Sequence, residues 1–244
     1  MVFLYIVLAL LMLNFLIFVH ELGHFLAAKK SKIKVNEFAI GMGPKIFSKT
    51  VNETKYSLRW ILIGGYVAFD DESYKDAHFL KQAFVIVNGV VFNFLTALIF
   101  SWVYLICSTD LNLNAWQIFI SGFLVVIQMS QAIFNALVGL VVHVDTSAFS
   151  GPAGIVDTIS TYIKVGYLQA IELIVVLNVN LGIFNSLPIP ALDGGQLVYT
   201  LFKGITKKRE YPKLETALAV IGYTFIGGIT LVALFNDFHR FFIK

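Results

Sequence analysis

Four long apolar segments limit how this chain can fold. They cover about residues 2–28, 83–106, 166–188 and 215–235, and no charged residue occurs before position 20. A helix of about 20 apolar residues crosses the hydrocarbon core of a bilayer. Only 14% of the residues are charged, whereas soluble domains carry about 25%. The sequence therefore predicts an all-α polytopic membrane protein with about four transmembrane helices.

The basic residues predict how these helices are oriented. Of 18 Lys and Arg residues, 10 lie within 29–81 and 5 within 203–213. The positive-inside rule places both groups on the cytoplasmic side, so the chain crosses an even number of times between them, and both termini are expected outside. The net charge of +3 is too small to indicate a nucleic-acid partner. The lipid bilayer is the expected surrounding.

Two further segments do not fit the four spans. Residues 115–144 are apolar, but a single additional crossing there would break the even count, so we expect an interfacial helix, a half-buried helix or a tight hairpin. Its polar residues recur at three- and four-residue steps, which predicts either a seam against the bundle or a path for water or substrate. Residues 34–70 are too polar to cross and are interrupted by Gly and Pro, which predicts a membrane-associated β-hairpin region. Both segments belong to a single membrane domain over 1–244.

The first apolar segment contains the sequence His20-Glu21-Leu22-Gly23-His24. Residues four apart share one face of a helix, so both imidazoles can bind one metal ion, and the intervening glutamate can act on a metal-bound water. An ionised residue at the centre of a membrane helix costs about 2.5–3.5 kcal/mol, so this placement needs a functional reason. Counted back from Lys29, the imidazoles lie roughly 7–14 Å below the cytoplasmic surface. We predict a Zn²⁺ site inside the membrane.

A zinc hydrolase usually has three protein ligands, and Asp193 is the best third candidate. It follows the third span in the segment 185–195, where two prolines and two glycines interrupt regular helix. Irregular backbone at membrane depth is tolerated where it lines a polar cavity or is buried in protein, and a divalent cation would compensate the carboxylate. Glu37 and Glu53 are alternatives by residue type only.

These motifs resemble the site-2 protease family of intramembrane zinc metalloproteases. The match extends over nearly the whole chain and is closest to its RseP-like bacterial branch. It rests on 20–24 and 185–195, together with Gly41-Met-Gly-Pro-Lys-Ile-Phe, residues 56–67, Asn88-Gly-Val-Val-Phe-Asn93, Ser150-Gly-Pro-Ala-Gly-Ile155, Val179-Asn-Leu-Gly182 and Leu234-Phe-Asn-Asp-Phe238.

The resemblance implies hydrolysis of peptide bonds within a substrate's transmembrane helix, in regulated intramembrane proteolysis. Zinc would be held by His20, His24 and Asp193, with Glu21 as the general base. Asn185 matches the position that stabilises the oxyanion, although an Asn capping a broken helix is the alternative. Asn180, Pro188 and Pro190 are implied in substrate positioning, with packing and helix-breaking as the alternative roles.

An unwound substrate needs a partner for its backbone, and an unpaired strand edge can provide one. The run 59–69, which contains Gly64, Gly65 and Tyr66, is our candidate for that edge. A purely structural hairpin is the alternative interpretation.

One departure from the resembled branch concerns the outer side. Its members usually carry PDZ domains between the second and third spans, whereas here residues 108–115 alone separate the second span from the next apolar helix. This favours substrates with short outer domains, either membrane-tethered proteins or signal-peptide remnants. We expect a multi-pass protein of a bacterial plasma membrane with its site toward the cytoplasm. The other classes considered are an inactive scaffold that binds transmembrane helices and a metal transporter.

Overall fold

The computed structural model describes residues 2–108, 113–143, 150–207 and 211–243. Helices dominate, and one two-stranded sheet follows the first helix. In chain order the elements are α1 (Val2–Lys30), β1 (Val35–Val51), β2 (Thr54–Phe69), α2 (Asp71–Asp76), α3 (Phe79–Cys107), α4 (Ala115–His143), α5 (Pro152–Val165), α6 (Tyr167–Ser186), α7 (Asp193–Thr206) and α8 (Pro212–Phe242).

Five of the described helices, namely α1, α3, α4, α6 and α8, are long and apolar enough to cross a membrane. The predicted fold class, a mostly helical polytopic membrane protein with a small β-hairpin region, is therefore confirmed. Four of these helices correspond to the four predicted spans. The fifth is α4, whose length and composition alone also permit a crossing.

Helices α4 and α5 lie near different parts of the bundle. Phe134 and Asn135 of α4 line a cavity with Ile183, close to the end of α6. Ser160 and Lys164 of α5, in contrast, contact Tyr5 at the beginning of α1. The chain therefore returns toward the N-terminal end of α1 before α6 begins.

Helices α1 and α3 cross closely because each has a glycine at the crossing. A Cβ on Gly23 would lie 2.2 Å from the Asn88 carbonyl oxygen. A Cβ on Gly89 would lie 2.3 Å from Nε2 of His24 and 2.9 Å from Cε1 of His20. Real Cβ atoms do not approach this closely, so both positions require glycine, and α3 packs directly against the histidine pair.

The sheet is a long antiparallel hairpin that folds back on itself. Residues 37–40 of β1 pair with residues 65–68 of β2 and also have register partners in residues 55–58. Gly41, Gly43 and Gly64 have positive φ angles at the bends, a conformation that glycine adopts without steric cost. Phe38 packs edge-on against two phenylalanines of α1 and so fixes the sheet to that helix.

An ion pair stabilises the interior of the hairpin. Arg59 donates to Glu37 at 2.9 Å and to the carbonyl of Gly43 at 2.7 Å. Burial raises the pKa of Glu37, but hydrogen bonds from Ser57 and Arg59 outweigh this and hold the pKa below its ordinary 4.5. A carboxylate with a lowered pKa stabilises the fold above its unfolded pKa and loses that contribution as the pH falls through the folded pKa. The pair is thus fully formed at neutral pH.

We expect Gly89→Ala to destabilise the protein, because the added methyl group overlaps the imidazole of His24. Overpacking of this kind typically costs about 1–3 kcal/mol. Gly227→Ala in α8 is the matched control, since its Cβ would meet nothing within 4 Å. Thermal unfolding of the purified variants measures the difference. Equal unfolding temperatures for the two variants would contradict the close crossing of α1 and α3.

Candidate metal centre

Three side chains from two distant parts of the chain converge beside α3. Nε2 of His20 lies 3.1 Å from Nε2 of His24, and Oδ2 of Asp193 lies 3.2 Å and 3.3 Å from those two nitrogens. Both histidines are buried, and the Asp193 side chain is 14% exposed. The His residues lie on one face of α1, and Asp193 is the first residue of α7. The structure thus brings together all three residues expected as metal ligands.

The spacing of the three atoms fits a tetrahedral zinc ion. Ligand atoms at zinc bond lengths of 2.0–2.1 Å stand about 3.3–3.4 Å apart in a tetrahedron. The observed separations of 3.1, 3.2 and 3.3 Å are close to these values. Three ligands would leave the fourth position for water or substrate, as in catalytic zinc sites.

The chemistry of the three atoms also favours a bound cation. Nδ1 of His24 lies 2.9 Å from the carbonyl oxygen of Val85. A carbonyl can only accept, so Nδ1 carries the proton, and in the neutral imidazole Nε2 then presents a lone pair. Oδ2 of Asp193 is buried and has no hydrogen-bond donor among the described residues. Lone pairs that face one another without a proton repel, and a bound divalent ion removes that repulsion.

Asn93 of α3 completes the same arrangement for His20. Its side-chain amide lies 3.0 Å from Nδ1 of His20, and its Oδ1 is buried without a partner among the described residues. Rotating this amide by half a turn brings the oxygen to Nδ1, which then donates its proton to it. The rotation satisfies the unpaired oxygen and leaves Nε2 of His20 free to bind the metal.

The segment before Asp193 is shaped by prolines and glycines. Pro188 and Pro190 lie in the irregular stretch between α6 and α7, where Ala191 has a φ of +77°. A Cβ on Gly194 would lie 2.3 Å from the carbonyl oxygens of Ser186 and Leu187. The first turn of α7 therefore packs tightly on the segment that leaves α6, and this packing fixes the position of Asp193.

Of the residues expected at the substrate edge, Gly65 lies beside Glu21, the candidate catalytic base. Gly65 packs against α1, since a Cβ there would lie 3.3 Å from Cγ of Glu21. Tyr66 follows in β2, where its hydroxyl accepts from Arg59, and Gly64 has a φ of +112° against Met42. Residues 65–68 pair with β1 on one side, and no strand among the described residues lies on their other side.

The remaining candidates are distributed along α6 and the hairpin. Asn185 lies in the last turn of α6, eight residues before Asp193. Asn180 lies further back on this helix, and its buried Oδ1 has no partner among the described residues. Glu37, one alternative third ligand, is engaged by Arg59. Glu53, the other, is in the tight turn between β1 and β2 with a φ of +65°.

A cavity of about 270 Å³ adjoins the segment before Asp193. Pro190, Gly195, Tyr74, Lys203 and Glu215 are among its lining residues. Burial and then the negative charge of Asp193 raise the pKa of Tyr74 to about 12, so its phenol stays protonated at neutral pH. The site therefore has a cavity with both polar and apolar lining next to it.

Known proteins match this chain over most of its length. The sequence profile described as "Peptidase family M50" matches residues 8–229, which is most of the chain and includes all three converging residues. The chain belongs to peptidase family M50.

Relatives of this M50 member include three bacterial proteins that carry the printed name "Putative zinc metalloprotease". The protein from Staphylococcus aureus (strain N315) is 36% identical over 127 residues, which are 50% of this chain and 30% of the relative. The protein from Fusobacterium nucleatum subsp. nucleatum is 28% identical over 308 residues, covering 84% of this chain and 91% of the relative. The protein from Clostridium acetobutylicum is 23% identical over 332 residues, covering 97% and 98%.

The three relatives match over different lengths, and two of the matches are longer than this chain. The matched part of this chain spans less than a third of the S. aureus relative. The matches to the F. nucleatum and C. acetobutylicum relatives, at 308 and 332 positions, are both longer than this chain of 244 residues. Those relatives therefore contain internal segments that have no counterpart in this M50 member.

The residues that were not predicted from the sequence are those of α3 that contact the two histidines on the side away from the candidate metal site. Val85 and Asn93 bind the outer nitrogens of the two histidines, and Gly89 gives α3 access to them. Residues 85, 89 and 93 follow a four-residue step, which places them on one face of α3. That spacing was a usable signal for a helix face packed on the histidine pair.

For Asn93, we expect Asn93→Leu to weaken zinc binding, because Nδ1 of His20 loses its acceptor. Loss of such a supporting partner typically costs about 10–100-fold in metal affinity. Asn93→Asp keeps an acceptor oxygen and should bind zinc nearly as tightly as the wild type. Competition of each purified variant against a zinc chelator measures this. Equal affinity of the Leu and Asp variants would show that Asn93 does not orient His20.

Proposed function

We propose that this M50 member is a zinc-dependent endopeptidase that cleaves peptide bonds within transmembrane segments of membrane proteins or within signal-peptide remnants. The observation that carries this proposal is the buried convergence of Nε2 of His20, Nε2 of His24 and Oδ2 of Asp193 within 3.3 Å of one another. A glutamate lies between the two histidines in sequence, and a strand edge lies beside that glutamate. The three proposed metal ligands, the proposed base and a strand edge that could hold an extended peptide are thus adjacent.

The proposed chemistry assigns one role to each residue. His20, His24 and Asp193 would hold zinc, which when bound supplies a Lewis acid that activates water and polarises a carbonyl. Glu21 takes the proton from the attacking water and returns it to the leaving amine. Asn185 donates a hydrogen bond to the carbonyl oxygen as negative charge develops there. Asn180, Pro188 and Pro190 help to position the substrate.

The site is proposed to face the cytoplasmic side of a bacterial plasma membrane. Lys29 and Lys30 end α1 just beyond His24, and Lys29 donates to Thr54 in the hairpin. Basic residues continue through the hairpin and α2, as expected for a cytoplasmic segment. Water would then need to pass only a short distance to reach the metal.

The strand edge addresses a problem specific to helical substrates. A transmembrane helix hides its carbonyl groups in internal hydrogen bonds, so the segment to be cut must first unwind. Residues 65–68 offer backbone groups on their open side, and Gly65 sits directly against Glu21. An extended substrate segment paired there would keep its backbone groups satisfied in the membrane. We propose that Gly64, Gly65 and Tyr66 belong to this binding edge.

The ligand and base assignments are tested by zinc content and cleavage measured together. The wild type should contain about one zinc per chain. Glu21→Gln should retain zinc and lose cleavage, because only the base is removed. His20→Ala and Asp193→Ala should each lose zinc. Full cleavage by Glu21→Gln would refute the mechanism, and retained zinc in Asp193→Ala would exclude Asp193 as a ligand.

Strand pairing is tested separately by N-methylation of single peptide bonds near the cleaved bond of a synthetic substrate. Backbone groups of a strand point alternately to either side, so methylation at every second position should block cleavage while the intervening positions are tolerated. Rates for the series show the pattern. A uniform effect at all positions would contradict pairing at this edge without affecting the metal assignment.

A further inference from the structure

Asn14 is a polar residue in the charge-free part of α1, and the metal site does not use it. Its side chain is buried, with 9% exposure. Nδ2 donates to the carbonyl of Leu10 at 2.8 Å and to the carbonyl of Leu62 in β2. Both partners are carbonyl oxygens, so the amide nitrogen must face them. The bond to Leu62 joins the middle of α1 to the hairpin.

This bond is aligned with the catalytic residues. Asn14, Ile17 and Glu21 lie on one face of α1, at steps of three and four residues. Leu62 bonds to Asn14, and a Cβ on Gly65 would lie 3.3 Å from both Ile17 and Glu21. Seven residues of helix rise about 10.5 Å, and three residues of strand extend about 10 Å. Residues 62–65 therefore run beside α1 in a fixed register.

Phe38 of β1 packs on α1, and residues 65–68 are paired with β1, but strand pairing is interrupted just before Gly65. Ile61 pairs with Met42, and Gly65 pairs with Ile40, but residues 62–64 have no register partner in β1. This stretch contains the bend at Gly64. A slip of this unpaired stretch along α1 by one residue would shift it by about 3.3 Å and exchange its faces. The Asn14 hydrogen bond opposes that slip at the point where pairing is interrupted.

We propose that Asn14 is a positioning residue that fixes the register of the β2 edge against Glu21 and thereby selects which substrate peptide bond is cut. The proposal rests on the proposed peptidase function. The position of residues 65–68 sets the position of a substrate segment that is paired with them. The register of β2 on α1 therefore determines which substrate carbonyl lies between Glu21 and the metal ligands.

The test compares Asn14→Leu with Asn178→Leu. Asn178 is a matched control, because it is fully buried in α6 and its Nδ2 bonds to Ile174, one turn earlier in its own helix. Product masses from a transmembrane substrate identify the cleaved bonds, and each variant is also assayed for zinc. We expect one dominant bond for the wild type and Asn178→Leu. For Asn14→Leu we expect cleavage spread over neighbouring bonds, with zinc content unchanged.

A second measurement does not depend on catalysis. Hydrogen exchange of the backbone amides should become faster over residues 62–69 in Asn14→Leu and stay unchanged in Asn178→Leu. Cleavage of the same single bond at an unchanged rate by Asn14→Leu would overturn the proposal. So would zinc loss in Asn14→Leu, because it would show a general structural role.

The two proposals fail in different ways. If the zinc-loaded wild type cuts no transmembrane substrate, the peptidase function and bond selection both fail, while faster exchange in Asn14→Leu would still establish the anchor. If Asn14→Leu does not fold, Asn14→Gln replaces it, since this variant keeps the donor but displaces it by one methylene. A shifted or mixed set of cleaved bonds is then expected, and an unchanged single bond overturns the proposal.

Discussion

Mutual repulsion between lone pairs in a poorly hydrated site is the constraint on which the rest of this structure depends. Two imidazole nitrogens and a carboxylate oxygen face one another within 3.3 Å. Each would be strongly solvated in water, and here a divalent cation is the simplest compensation. The backbone carbonyl of Val85 and the amide of Asn93 fix the outer nitrogens, so that the lone pairs point inward. The fold has to hold these groups in place even though they repel one another.

Close packing of the helices holds these repelling groups in place. Gly23 and Gly89 let α1 and α3 approach until the backbone of one touches the histidines of the other. Gly194 does the same where α7 meets the end of α6. At each point a methyl group would displace a ligand or the backbone that carries it. The glycines therefore shape the candidate metal site, although none of them supplies a ligand atom.

The sequence predicted the parts of this site that depend on local spacing. A four-residue step on a charge-free helix was enough to propose His20 and His24, and a broken helix with an acid was enough to propose Asp193. The membrane class and the hairpin region also followed from composition and from Gly and Pro positions. What was not predicted was the contact of α3 with the histidine pair. The pairing of Asn93 with His20 spans 73 positions, and the four-residue step of residues 85, 89 and 93 indicates a packed helix face without identifying its partner.

The course of α4 and α5 shows the same limit in another form. Hydropathy and charge required an even number of crossings, and the sequence offered three ways to satisfy it. Lys164 contacts Tyr5, whereas Asn135 lines a cavity together with Ile183, so α5 and α4 lie near different parts of the bundle. The distribution of basic residues constrains only the side of the membrane on which the connecting segments lie, whereas tertiary packing decides the path of the chain between them.

Buried polar groups in this protein share one function beyond stability, which is alignment. In hydrocarbon a hydrogen bond to a backbone carbonyl has no competing water, so a slipped strand would leave a donor and an acceptor unsatisfied together. Arg59 fixes the curvature of the hairpin through Glu37 and Gly43, and Asn14 fixes its position along α1. Apolar contacts alone would tolerate small shifts, because they are not directional. Directional hydrogen bonds are therefore better suited to the proposed role of this site, which is to present one peptide bond to Glu21.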